Sequence, residues 1–149
     1  MNVYMAGPLF TSAERAHNLR LAELLEQRDP IFKCILPQVR GEALYPDLKA
    51  VFKDCLEQAE HAGVVVACVD GAESDSGTAF EMGFAYGKGV PIVAYRTDFR
   101  GSEIDGLNAM LRFGCTEFIS APSFKTTLEQ LAEEITNAIH RALCHKFRG

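Results

Sequence analysis

Residues 63–95 read GVVVACVDGAESDSGTAFEMGFAYGKGVPIVAY. Gly63–Val69 is a continuous apolar run of β-branched character, as expected of a strand buried on both faces of a parallel sheet. Asp75–Gly87 reads as a helix, opened by Asp75 and Ser76 and closed by Gly87 and Gly89. Val90–Tyr95 is again apolar and strand-like. A strand, a helix and a strand in this order form a crossover unit, which joins parallel neighbours.

The same alternation extends in both directions. Asn2–Ala6 is a first strand, ended by Gly7-Pro8. Thr11-Ser12-Ala13-Glu14 fits a capping box, with Thr11 as N-cap and Glu14 at N3, and the helix runs to about Gln27. Ile31–Leu36 is a further strand stopped by Pro37, so Pro37–Gly41 is expected to be a loop. Pro46 is placed at the start of a helix that continues through Asp47–Ala62, where its missing N–H costs nothing. After Arg96–Asn108, which is polar and irregular, Met110–Phe113 reads as a helical turn and Thr116–Ile119 as a strand. Leu128, Leu131, Ile135, Ile139 and Leu143 mark one stripe of a last helix. The expected architecture is α/β, a flavodoxin-like or Rossmann-like three-layer sandwich with a parallel sheet of about five strands. Residues 1–149 read as one domain.

Composition narrows the function. The 149 residues carry 15 Lys and Arg against 20 Asp and Glu, a net charge of -5, which argues against a nucleic-acid polymer or an anionic membrane surface as partner. No apolar run approaches the roughly 20 residues of a membrane span, and the N-terminus lacks the pattern of a signal peptide. Cys34, Cys55, Cys68, Cys115 and Cys144 show no paired spacing, so buried free thiols in a reducing, cytoplasmic setting are expected. His17, His61, His140 and His145 show no metal-ligand spacing, and no metal is expected.

In open α/β sheets, ligands bind beyond the carboxyl ends of the strands. The loop after the first strand has no G-x-G-x-x-G, and Pro8 removes one backbone donor, which disfavours a dinucleotide. No G-x-S-x-G elbow occurs. Carboxylates remain. Asp70, Glu73, Asp75 and Glu81 gather in the loop and helix after the central strand. Asp75 suits a helix N-terminus. Glu81 lies further in, between Phe80 and Met82, and a lone carboxylate in an apolar, small-residue helix is either paired or used. Gly77 and Gly83 leave room near it for a ligand or another backbone.

Four pieces in register, Tyr4-Met-Ala-Gly-Pro-Leu-Phe10, Asp54, Asp75-x-Gly77-x-x-x-Glu81-x-Gly83 and Asn108-Ala-Met110, resemble the nucleoside 2-deoxyribosyltransferases from Tyr4 to about Phe113. The resemblance implies Glu81 as a nucleophile that forms a covalent deoxyribosyl-enzyme, and Asp75 as the carboxyl that binds the base and shuttles its proton. It implies Asp54 beside the sugar, with pairing to Lys53 or Lys49 as the alternative, and Tyr4 as the hydrogen-bonding partner of the nucleophile. Gly7, Pro8, Phe10 and Gly77 would frame the substrate. Asn108, with Met110, would reach the 5′-hydroxyl from a neighbouring subunit of a homo-oligomer. Phe84, Tyr86, Met110 and Leu111 fit such a contact surface or the core equally. The substrates would be deoxynucleosides and free nucleobases, with no cofactor. Some members close the site with an aromatic tail, for which Phe147 is the candidate here. A related hydrolase of 2′-deoxynucleoside 5′-monophosphates and a non-catalytic nucleotide-binding domain are the alternatives. The first would need charge-assisted phosphate donors, for which Arg15 and Arg112 are the nearby candidates.

Overall fold

The computed structural model describes residues 1–100 and 107–146, with the backbone alone at 145 and 146. Five parallel strands form one sheet: β1 (Asn2–Ala6), β2 (Lys33–Ile35), β3 (Val64–Cys68), β4 (Ile92–Arg96) and β5 (Glu117–Ser120), in the spatial order β2-β1-β3-β4-β5. Tyr4 stands opposite Val65, and Cys68 opposite Tyr95. The helices are α1 (Ser12–Arg28), α2 (Pro37–Leu44), α3 (Leu48–Glu60), α4 (Ser76–Gly87), α5 (Ala109–Gly114) and α6 (Leu128–Lys146). The expected three-layer α/β architecture is therefore present.

Side-chain alternation along the strands builds two cores. Val3, Val64, Val66, Val93 and Tyr95 pack against Leu21 and Leu25 of α1 and Ile135 and Ile139 of α6. Tyr4, Val65, Ala67 and Ala94 point to the other face, toward Ala59 of α3 and Met82 and Ala85 of α4. Tyr4 is thus the large polar-tipped side chain directed from the first strand into the layer that carries Glu81.

The capping box forms as read: the Thr11 hydroxyl accepts from Glu14 N at 3.2 Å, and the Glu14 carboxylate accepts from Thr11 N at 2.8 Å. Two readings change. Pro37 opens α2 rather than a loop, because proline at the first helical position has its backbone angle already set. Pro46 lies outside its helix, joined to Tyr45 by a cis bond. The cap of α3 is Asp47, whose carboxylate accepts from Ala50 N at 2.9 Å. Of the cysteines only Cys68 is fully buried. Cys34, Cys55 and Cys115 are half-buried and Cys144 is exposed, and all five are free thiols. No described helix is long and apolar enough to cross a membrane.

Candidate active site

The chain runs from β1 outward to β2 on one side and from β3 to β4 and β5 on the other, so the topological switch lies between β1 and β3. The crevice expected there exists as a cavity of about 550 Å³ at the carboxyl ends of these strands, framed by Pro8 and Phe10 after β1, Asp70 and Asp75 after β3, and His17 and Asn18 of α1. Gly7 permits the two strand ends to converge, since a Cβ at that position would stand 3.1 Å from Cys68 Cβ. The backbone of Phe10 is fixed through its N–H, which donates to Glu14 at 2.9 Å, while its ring is exposed. Asn18 ties down the same loop by donating to Pro8 O at 3.0 Å.

Tyr4 and Glu81 are not among the residues that line this crevice; in the layer of α3 and α4, the Tyr4 hydroxyl donates to Glu81 Oε1 at 2.6 Å. Tyr4 is fully buried. Burial, followed by the charge of Glu81, pushes its phenol far up, so it stays a proton donor. Glu81 is raised from its ordinary value of 4.5 to about 7. Desolvation is the main cause; the negative charge of Asp75 adds to it, and the Tyr4 hydrogen bond works against it by favouring the ionised form. A carboxyl balanced in this way near neutrality can supply a nucleophile or carry a proton.

Asp75 is the N-cap of α4. Its Oδ2 accepts from Thr78 N at 2.8 Å and from Thr78 Oγ1 at 3.0 Å, and Oδ1 makes no hydrogen bond among the described residues. A Cβ on Gly77 would come within 3.1 Å of Asp75 Oδ2, so glycine keeps this carboxyl uncrowded. Gly83 has open space where a Cβ would stand.

Asp54 is paired neither with Lys53 nor with Lys49. Arg40 of α2 grips it with both arms of its guanidinium: Nε donates to Oδ2 at 2.7 Å and Nη2 donates to Oδ1. The guanidinium holds the Asp54 carboxyl below its usual range. The next residue, Cys55, packs against the core cluster that contains Tyr4, which brings α3 to the edge of the Tyr4–Glu81 pair.

Asn108 and Met110 lie at the start of α5, which packs against α4. Asn108 caps α5 by accepting from Met110 N at 2.9 Å. Met110 is 82% exposed. It lines a second cavity, of about 460 Å³ and apolar, between α4 and α5, with Met82, Gly83, Tyr86 and Phe113. Phe84 and Leu111 pack against the core, whereas Tyr86 faces solvent. Phe147 and His145 lie outside the residues whose side chains are described. Among the described residues no group of three or more His, Cys, Asp or Glu is placed to hold a metal. His17 meets the Tyr95 hydroxyl at 3.1 Å, and His140 meets Asp29 at 3.2 Å.

Sequence reasoning missed the Arg40–Asp54 pair and the buried Arg96. The signal for Arg40 was the sign of its charge on a segment taken for a loop. For Arg96 it was a cation directly after an apolar strand.

Three comparisons bear on this geometry. A conserved protein from Enterococcus faecalis V583 superposes with a TM-score of 0.74 and 28% identity over 95% of this chain and 98% of its own. A 2-deoxyribosyltransferase from Bacillus psychrosaccharolyticus gives 0.69 and 20% over 92% and 91%. One from Leishmania mexicana gives 0.70 and 18% over 93% and 97%; at these identities both show a shared fold. No curated protein matches. The family model described as nucleoside 2-deoxyribosyltransferase matches residues 3–112, a span that holds Tyr4, Asp54, Asp75, Glu81 and Asn108, and on that match the chain belongs to the nucleoside 2-deoxyribosyltransferase family.

Proposed function

We propose that this protein moves 2-deoxyribose from one nucleobase to another through an ester on Glu81. The observation that carries the reading is the half-buried Tyr4–Glu81 hydrogen bond of 2.6 Å, on a carboxyl whose pKa desolvation pushes up. In the first half-reaction the Glu81 carboxylate attacks C1′ of a 2′-deoxynucleoside. The C1′–N bond breaks, its electron pair goes to the base, and the Asp75 carboxyl protonates the departing ring. In the second, a nitrogen of the incoming base attacks C1′, the ester bond breaks back to the carboxylate, and Asp75 takes the proton released. Two displacements at one carbon give net retention, as in retaining glycosidases.

Each remaining group has a part in this scheme. Tyr4 holds the Glu81 rotamer and favours its ionised form. Asp54, whose carboxylate Arg40 fixes with both arms of its guanidinium, offers a hydrogen-bond acceptor to the sugar. Pro8, Phe10, Gly7 and Gly77 frame the base and sugar. Asn108 and Met110 act on the 5′-hydroxyl from a neighbouring subunit of a homo-oligomer. Arg15 is engaged by Glu42 and by Leu9 O, and the Arg112 guanidinium lies over the Phe118 ring, 4.6 Å from its centroid. These engagements favour an uncharged 5′-hydroxyl over a 5′-phosphate. The scheme calls for no cofactor.

The test is incubation with 2′-deoxyinosine and free adenine or cytosine, followed by chromatography, with a 2′-deoxynucleoside 5′-monophosphate run alongside. A new deoxynucleoside is the expected product. Free deoxyribose alone, or turnover of the monophosphate alone, would replace this reading with hydrolysis.

A further inference from the structure

Arg96 closes β4 at only 3% exposure, and the scheme above gives it no role. Its Nη1 donates to Val69 O at 2.7 Å, and its Nη2 donates to Gly71 O at 2.9 Å and to Arg100 O at 2.9 Å. Its Nε is buried with no hydrogen-bond partner among the described residues. The link also runs in the opposite direction. The Asp70 carboxylate accepts from Thr97 N at 2.6 Å, Thr97 Oγ1 at 2.6 Å and Asp98 N at 2.8 Å. Gly71 N donates to Asp98 Oδ2 at 3.2 Å. Residues 69–71 are thus clasped to residues 96–98 from both sides.

The clasp sits at the root of the loop that delivers Asp75. The chain turns sharply at Gly71, where φ is +113° and a Cβ would stand 2.6 Å from Glu73 O. It reaches the α4 cap four residues later. A buried guanidinium is an expensive way to stabilise a fold, because an apolar side chain of similar volume often does as well or better. What a guanidinium supplies is direction: several donors in one rigid plane fix three carbonyls relative to one another.

We propose that Arg96 is a positioning residue for Asp75: its clasp on Val69 and Gly71 sets where the Asp75 carboxyl meets the base. This inference rests on the proton-shuttling role proposed for Asp75.

The experiment measures kcat and KM for deoxyribosyl transfer from 2′-deoxyinosine to adenine in wild type, Arg96→Met, Arg96→Lys, Asp75→Asn and the Arg96→Met/Asp75→Asn double variant, with circular dichroism on each. A misplaced acid is expected to lower kcat on the order of 10²-fold in Arg96→Met. KM for the donor should stay within about twofold, and Arg96→Lys should recover part of the loss. The decisive readout is non-additivity: the double variant loses no more than Asp75→Asn alone, because both act through one carboxyl. If Arg96→Met does not fold, Asp70→Ala, which removes the acceptor of Thr97 and Asp98, opens the same clasp from its other side and replaces it in the cycle. Wild-type kcat in a folded clasp variant, or losses that multiply in the double variant, would overturn this inference alone. A wild type that transfers no sugar would overturn the proposed reaction and this role with it.

Discussion

Replacing Glu81 by glutamine should make the protein more stable, and by an amount that depends on pH. The wild-type carboxyl is raised from 4.5 to about 7 in the folded chain. Between these values the folded state holds a proton that the unfolded state has released, so wild-type stability falls as pH rises through that window. At about 1.4 kcal/mol per pH unit, the full penalty is roughly 3 kcal/mol once pH exceeds the folded value. A glutamine there would carry no charge and would keep a carbonyl to accept from Tyr4, so the variant escapes the penalty. Glu81→Gln should therefore match the wild type to within about 1 kcal/mol near pH 5 and exceed it by about 3 kcal/mol near pH 8. For a chain of this length that gain raises Tm by roughly 5–10 °C. Thermal unfolding of both proteins across this pH range, followed by circular dichroism, reads the difference directly. Two curves that stay parallel with pH would mean that Glu81 is not held in a desolvated site with a raised pKa.

Other expected outcomes follow from the same contacts. Tyr4→Phe removes the hydrogen bond that favours ionised Glu81. The acidic limb of kcat/KM should move up by about one pH unit, and the rate near pH 7 should fall roughly fivefold from lost ionisation alone. Arg40→Ala releases Asp54, whose carboxyl the pair holds below its usual 3.8. The stability lost should be about 1 kcal/mol or less near neutrality, since Arg40 is partly exposed. The pair's contribution is present above the unfolded value and disappears as pH falls through the folded one, so urea titrations of the two proteins should converge at acid pH. Met110→Glu places a charge on the apolar α4–α5 face. Light scattering should then show a smaller species than the wild type, with transfer activity falling in step.

How far the sequence carries the structure depends on the range of the interaction concerned. Val64–Cys68 is legible because burial on both faces leaves an uninterrupted apolar run. The α1 cap is legible because Thr11 and Glu14 lie three residues apart and form a local motif. Pro37 and Pro46 show the limit of local reading. Proline both ends strands and opens helices, and only the packing of α2 against α3 decides between them. Asp54 illustrates the site. Its neighbours Lys53 and Lys49 are the obvious partners along the chain, yet Arg40 reaches it across two helices, from a segment read as a loop. Tyr4 and Glu81 are 77 positions apart. Periodicity places neither beside the other, and resemblance to a family supplied the pairing. The Arg96 clasp had no counterpart in that resemblance. It joins two loop roots that become neighbours only once β3 and β4 pair.

The most direct test of the account is mass spectrometry of the protein quenched during turnover of 2′-deoxyinosine. Intact protein should be heavier by one deoxyribosyl residue, with the added mass on the peptide containing Glu81 and absent from Glu81→Gln. Turnover with no adduct on the wild type, or an adduct on a peptide that lacks Glu81, would contradict it.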